Sequence, residues 1–208
     1  SALIHLIYTI GPTFWIWFSA LAAVFVLFVN MFYTSLILPL FNKLTPLQDG
    51  DLKTAIEKFA LKVDFPLDNI FVIDGSKRSK KANAFFSGIG KKKKIVLYDT
   101  LIENHTTDEL VAVLAHEVGH FKKKHVIWGY VLSILQIVFT LFVLSRMAYS
   151  EDVSLALGGS QLAIHLNLLA FGILFSPISG ITGLFMNMYS RRNEYEADAY
   201  AKETFDGA

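Results

Sequence analysis

The sequence predicts a mainly α, multi-pass membrane protein with a small α+β region between its membrane runs. Three observations predict it: three long segments without charge, a polar stretch in which helical and strand periodicities alternate, and a lopsided placement of the basic residues. The 208-residue chain is 53% hydrophobic and 18% charged, against about 45–50% and about 25% in ordinary soluble domains, and its mean hydropathy is +0.45. These values exclude a disordered or solvating chain. Nineteen Lys and Arg against eighteen Asp and Glu leave a net charge of +1, so no basic balance invites nucleic acid and no acidic balance repels it; the total says nothing of partners, and no nucleic acid is expected among them. Without cysteine, disulfide scaffolds and thiolate chemistry are excluded, and a metal would have to be held by His and carboxylates.

The first run, Phe14 to Leu38, has no charge in 25 positions. As a helix at about 1.5 Å per residue it is long enough for a hydrocarbon core of about 30 Å. Trp15, Trp17 and Tyr33 lie near its ends, where amphipathic rings favour the interface, and Pro39 stops it. No basic residue precedes it and no small-residue cleavage site follows, which argues against a signal peptide. The second run is Val126 to Leu144. The third is Leu162 to Met188, broken in composition by Ser176, Pro177 and Gly180, with His165 and Asn167 read as hydrogen-bonding groups between helices. Eighteen of the nineteen basic residues fall in Lys43 to Lys124 or Arg191 to Lys202, and only Arg146 lies between runs two and three. Basic loops stay cytoplasmic. The expected organisation is therefore an external N-terminus and first membrane helix over 1–38, a cytoplasmic region over 39–125, two membrane helices with a short external loop over 126–189, and a cytoplasmic helix over 190–208.

Within the polar stretch, Leu52, Ile56, Phe59, Ala60 and Val63 recur on one helical face and stop before Asp64-Phe65-Pro66. Strands are predicted at Asn69 to Ile73, Ala82 to Ser87 and Ile95 to Tyr98, separated by Asp74-Gly75-Ser76 and by Gly88, Gly90 and four lysines. Taken in sequence order they make a short β meander, with Lys91 to Lys94 as a solvated tip or a contact for anionic headgroups. Thr106-Thr107-Asp108-Glu109 then has the form of a capping box, followed by the apolar stripe Leu110, Val111, Val113, Leu114, Val118 and Phe121.

That helix contains His116-Glu117-Val118-Gly119-His120, an HExxH motif. Residues four apart share a helical face, so the two imidazoles can grip one Zn²⁺ while Glu117 stands beside the metal as catalytic base. A catalytic zinc usually takes three protein ligands. The metzincin pattern is rejected, since position 126 is Val and position 123 is Lys. His125, five residues after His120, is expected to point off the metal face. Arg191-Arg192-Asn193-Glu194-Tyr195-Glu196-Ala197-Asp198 follows the third run, read as a helix continuing from it. Glu194 and Asp198 share a face there, whereas Glu196 is turned about 200° from Glu194 at 100° per residue. Glu194 is the candidate third ligand, and Asp198 is suited to accept the free ring N–H of His116 or His120. The competing reading pairs these carboxylates with Arg191 and Arg192 on a solvated surface.

These motifs carry a resemblance. Together with Pro39-Leu40-Phe41-Asn42-Lys43, Asp74-Gly75-Ser76-Lys77-Arg78-Ser79, Asn83-Ala84-Phe85 and Ile95-Val96-Leu97-Tyr98-Asp99-Thr100-Leu101, they make the chain similar to the CaaX prenyl protease 1 family of Ste24-type membrane zinc metalloproteases, within the wider peptidase family that also holds the HtpX proteases. The resemblance implies a cytoplasmic α+β zincin-like metalloprotease domain with one catalytic Zn²⁺ on His116, His120 and Glu194, a gluzincin-like pairing of HExxH with ExxxD. It implies Glu117 as base, Asp198 as supporting carboxylate, and a strand around Asn83, Ala84 and Phe85 that aligns a peptide substrate by its backbone, as edge strands can. The implied partners are a peptide or protein, prenylated in the CaaX case, and the lipid bilayer of the bacterial inner membrane or endoplasmic reticulum. An HtpX-like quality-control protease and an inactive membrane scaffold are the alternatives. Relatives carry more membrane helices before the first run and a further His- and Arg-bearing segment after the ExxxD helix, so the chain is expected to be a fragment.

Overall fold

The structure, a computed structural model, describes residues 2–32, 38–74, 84–87 and 93–205. Two compact units form, Ser1–Leu27 with Ile127–Ser190, and Phe28–Val126 with Arg191–Ala208.

The first unit is built from long apolar helices. α1 (Ala2–Ile10) leads through a single 3-10 turn, Gly11–Thr13, into α2 (Phe14–Phe32). Gly11 takes a φ of 78° in this turn, a conformation that glycine adopts without a Cβ clash. The helical apolar stretch long enough to cross a membrane is thus Ile4–Val29, starting before the uncharged run was expected to become helical. The other two such helices are α7 (His125–Ala148) and α9 (Ile164–Thr204). α9 runs unbroken past Pro177, where Ser176 Oγ donates to the Ile173 carbonyl and Ser179 Oγ to that of Ser176. Trp17 and Ile173 are 66% and 73% exposed, which suits surfaces that meet lipid rather than water. Phe14, Ile7, Ala148 and Ile164 form the small buried core of the unit. Between α7 and α9 the expected short turn contains a helix, α8 (Glu151–Ala156), capped by Ser150. Asn167 is fully buried and donates to the carbonyls of Ala148 and Ser150 while accepting from Ser154 Oγ, so one side chain ties the end of α7 and the first turn of α8 to α9.

The second unit is a sheet covered by helices. Its elements in chain order are α3 (Leu38–Phe41), β1 (Leu44–Pro46), α4 (Asp51–Lys62), β2 (Leu67–Ile73), β3 (Ala84–Ser87), β4 (Lys93–Tyr98), α5 (Asp99–Asn104) and α6 (Thr107–Lys122). The arm of α9 beyond Ser190 completes it.

The sheet corrects the predicted meander. Its order is β1-β2-β4-β3, with β2 and β4 parallel and the other two pairings antiparallel. Ile95, Val96 and Leu97 are 2%, 1% and 0% exposed, so β4 is buried on both faces, as suits a central strand. A meander would have put it at an edge. β1 escaped prediction because it is three residues long and ends in Pro46; proline is tolerated at an edge, which is where β1 lies. Ile56, Phe59, Ile70, Leu97, Leu110 and Leu114 form the main core between the sheet, α4 and α6. Ala84 of β3 belongs to the same core, beside α6.

Candidate metal centre

α6 begins where its capping box predicts. The Thr106 backbone N–H donates to the Glu109 carboxylate at 2.8 Å, and the Glu109 N–H donates back to Thr106 Oγ1 at 3.4 Å. The Thr106 N–H and the Thr106 hydroxyl, whose Oγ1 donates to the same carboxylate at 3.0 Å, hold the Glu109 carboxyl below its ordinary pKa. Leu110, Val111, Leu114, Ala115 and Val118 bury the other face of the helix. That fixes the rotation of α6 and leaves His116 and His120 on the flank that meets α9.

The approach of α9 depends on Gly119. A Cβ there would stand 3.0 Å from Ala197 Cα and 3.1 Å from the Ala197 carbonyl oxygen, closer than non-bonded atoms settle. Ala197 itself is fully buried. Tyr200, Ala201 and Phe205 pack on the main core, and Lys62 Nζ donates to the Thr204 carbonyl at 2.9 Å, holding the end of α9.

Glu194, three residues before Ala197, is thereby brought to the histidines. His116 Nε2 and His120 Nε2 are 3.1 Å apart, and the Glu194 carboxylate oxygens lie 3.3 Å from the first and 3.7 Å from the second. Metal–nitrogen and metal–oxygen bonds of about 2.0–2.1 Å in a tetrahedron separate the ligand atoms by about 3.4 Å. The three measured separations bracket that length, so the donor set fits zinc in both chemistry and spacing. Asp198 Oδ1 lies 2.7 Å from His116 Nδ1, where it accepts that N–H and leaves Nε2 bare for a metal. Glu117 is half-buried beside them. Burial pushes its carboxyl above the usual range and Glu194 adds to this, while His116 opposes it. Burial also pushes His120 below its ordinary value, against the raising effect of Glu194, which favours the neutral imidazole that a metal needs.

Glu194 and Asp198, which the competing reading paired with Arg191 and Arg192, lie against the histidines instead, while Arg192 Nε donates to Glu196 Oε1 at 2.8 Å. His125 departs from the expectation that it points away. Lys124 has a φ of 59°, so the chain turns through the left-handed region between α6 and α7. His125 Nδ1 consequently sits 3.0 Å from His120 Nδ1, and its Nε2 is 3.2 Å from Glu196 Oε2. Spacing along a continuous helix could not have shown this. Asn83 lies outside the described residues; Ala84 is buried, and the backbone of Phe85 pairs with Val96 in the terminal strand β3.

Residues 46–207 match Peptidase family M48. The chain is 39% identical to CAAX prenyl protease 1 of Saccharomyces cerevisiae over 92% of its own length and 46% of that protein. It is 39% identical to the CAAX prenyl protease 1 homolog of Arabidopsis thaliana, over 97% and 48% of the two chains. The crystal structure of S. mikatae Ste24p aligns with a TM-score of 0.79 at 36% identity, covering 91% of this chain and 48% of that one. The chain spans about half the length of the curated relatives it matches. With three membrane-length helices among its described residues and a match across most of its length, the chain is an integral membrane protein that belongs to peptidase family M48.

Proposed function

We propose that this chain carries the zinc site of a membrane endopeptidase that trims the C-terminal CaaX end of prenylated proteins or peptides. The observation that carries the hydrolytic reading is the convergence of His116, His120 and Glu194 within bonding distance of one point, with Glu117 beside them. The substrate class rests on relatives bearing the CAAX prenyl protease name at 39% identity. Zinc, when bound, supplies a Lewis acid that polarises a peptide carbonyl and acidifies water.

The chain's own residues do the rest. His116, held by Asp198, and His120 present bare Nε2 atoms, and Glu194 adds one negative charge to the ligand set. Glu117 takes a proton from the attacking water and returns it to the departing amine. Its upward shift keeps the carboxyl a better proton carrier near neutral pH than a solvated glutamate would be. β3, at the end of the sheet and against α6, offers an edge for an extended peptide, with the run Asn83, Ala84 and Phe85 as its docking segment. The distribution of basic residues puts this machinery on the cytoplasmic side, over 39–125 and 190–208.

The test is metal content and turnover on the same detergent-solubilised preparations, with prenylated and unprenylated versions of one peptide. The expected result is one zinc per chain and cleavage that needs the prenyl group. Equal cleavage of both peptides assigns the site to quality control instead, and absence of zinc binding removes the hydrolytic reading.

A further inference from the structure

His120 and His116 face the same problem. Each must keep its proton on Nδ1 if Nε2 is to bind a metal, and each ring can rotate about its side-chain bonds unless something holds the far nitrogen. For His116 the holder is Asp198. On the zinc reading given above, on which this inference rests, the contacts of His120 among the described residues leave one candidate acceptor at its Nδ1, the Nδ1 of His125 at 3.0 Å.

We infer that His125, Glu196 and Arg192 form a relay that positions His120 for metal binding. With a metal on His120 Nε2, one proton assignment makes each contact along it productive. His120 carries its proton on Nδ1 and donates it to His125, so His125 Nδ1 must be the bare nitrogen. His125 Nε2 then carries a proton and donates to Glu196 Oε2 at 3.2 Å. Glu196 Oε1 accepts from Arg192 Nε at 2.8 Å, which fixes the rotation of the carboxylate. The opposite assignment, with a proton on His125 Nδ1, would meet the proton of His120 head-on or push it to Nε2 and close the metal position.

Burial along the relay follows its function. The His125 side chain is 6% exposed, Glu196 35% and Arg192 79%, so an imidazole connects the enclosed metal ligand to a carboxylate at the surface. The geometry needs both the left-handed Lys124, which swings His125 back towards α6, and the placement of Glu196 on the side of α9 away from Glu194. His125, Glu196 and Arg192 are therefore positioning residues, acting on the metal through His120.

The experiment is zinc affinity of the full chain in detergent, measured by competition with a chromophoric chelator, alongside helical content by circular dichroism. His125→Leu should weaken zinc binding by about tenfold to a hundredfold with helical content unchanged. His125→Asn, whose Oδ1 can take the place of Nδ1 as acceptor, should recover most of the loss. Glu196→Ala, which frees the tautomer of His125 without emptying the interior, should fall between. A ¹⁵N spectrum of the zinc-loaded chain should show His120 protonated at Nδ1. Unchanged affinity in His125→Leu, or an Asn variant no better than Leu, overturns the inference. Should His125→Leu fail to fold, unchanged affinity in Glu196→Ala does so. If the unsubstituted chain binds no zinc, the zinc reading and this inference fall together; if it binds zinc and the variants match it, only the inference falls.

Discussion

Gly119→Ala separates helix stability from site geometry. The added methyl would lie 3.0 Å from Ala197 Cα, 3.1 Å from the Ala197 oxygen and 3.2 Å from Tyr200 Cβ. The first two are backbone atoms, so no rotamer change relieves them. Restoring ordinary contact at about 3.5–4.0 Å requires the helices to part by about 0.5–1 Å. Glu194 rides on the same helix as Ala197, and a metal site tolerates about 0.2 Å in its bond lengths. Alanine gains about 1 kcal/mol over glycine inside a helix, while overpacking costs about 1–3 kcal/mol, so the metal-free protein should change by no more than about 2 kcal/mol. Zinc affinity should fall by at least about tenfold, which removes about 1.4 kcal/mol of the stabilisation that zinc confers. The assay is thermal unfolding in detergent with a chelator and with graded zinc. Undiminished zinc stabilisation in Gly119→Ala would refute the argument that close helix approach sets the site.

Glu117→Gln should retain zinc and lose peptide hydrolysis, whereas His116→Ala and Glu194→Ala should lose both; metal analysis and turnover on the same samples distinguish them. Thr106→Ala removes one cap of α6 and should cost about 1 kcal/mol, read as a lower unfolding temperature. Glu109 is held below its ordinary pKa by Thr106, so its stabilising effect is fully present above the unfolded value of about 4.3 and disappears as pH falls through the lower folded value. The difference in unfolding temperature between the unsubstituted chain and Glu109→Ala should therefore be constant near neutral pH and shrink in acid. Asn167→Ala leaves the carbonyls of Ala148 and Ser150 without their shared donor and should cost about 1–3 kcal/mol, with faster hydrogen exchange around α8.

The sequence revealed the features fixed by local geometry. Helical periodicity put His116 and His120 on one face and Glu194 and Asp198 on another, and the capping box fixed where α6 starts, because each depends on residues within four positions. The strand order was hidden because pairing is nonlocal: the run Ile95 to Leu97 showed a buried strand, but its neighbours are chosen by the whole sheet. Gly119 gave no sign of its partner, since the tight approach belongs to Ala197 on another helix. His125 was misplaced by treating α6 and α7 as one continuous helix, when a single left-handed residue, Lys124, separates them. No helix was expected over Ala2 to Ile10, since the first membrane run began at Phe14, yet a 3-10 turn over Gly11–Thr13 joins a helix there to the run.

His116 and Asp198 stand 82 residues apart in the chain, and α7, α8 and the apolar part of α9 lie between them. At about 5–20 residues per second, the ribosome needs roughly 4–16 s after finishing the HExxH helix before the carboxylate that orients it exists. During that interval Glu117 and the two imidazoles exist without Glu194, so the proposed metal site stays unassembled until α7 and the apolar part of α9 have been made. Chain order alone thus separates, by two membrane-length helices, the synthesis of the HExxH helix from that of the carboxylate that orients it.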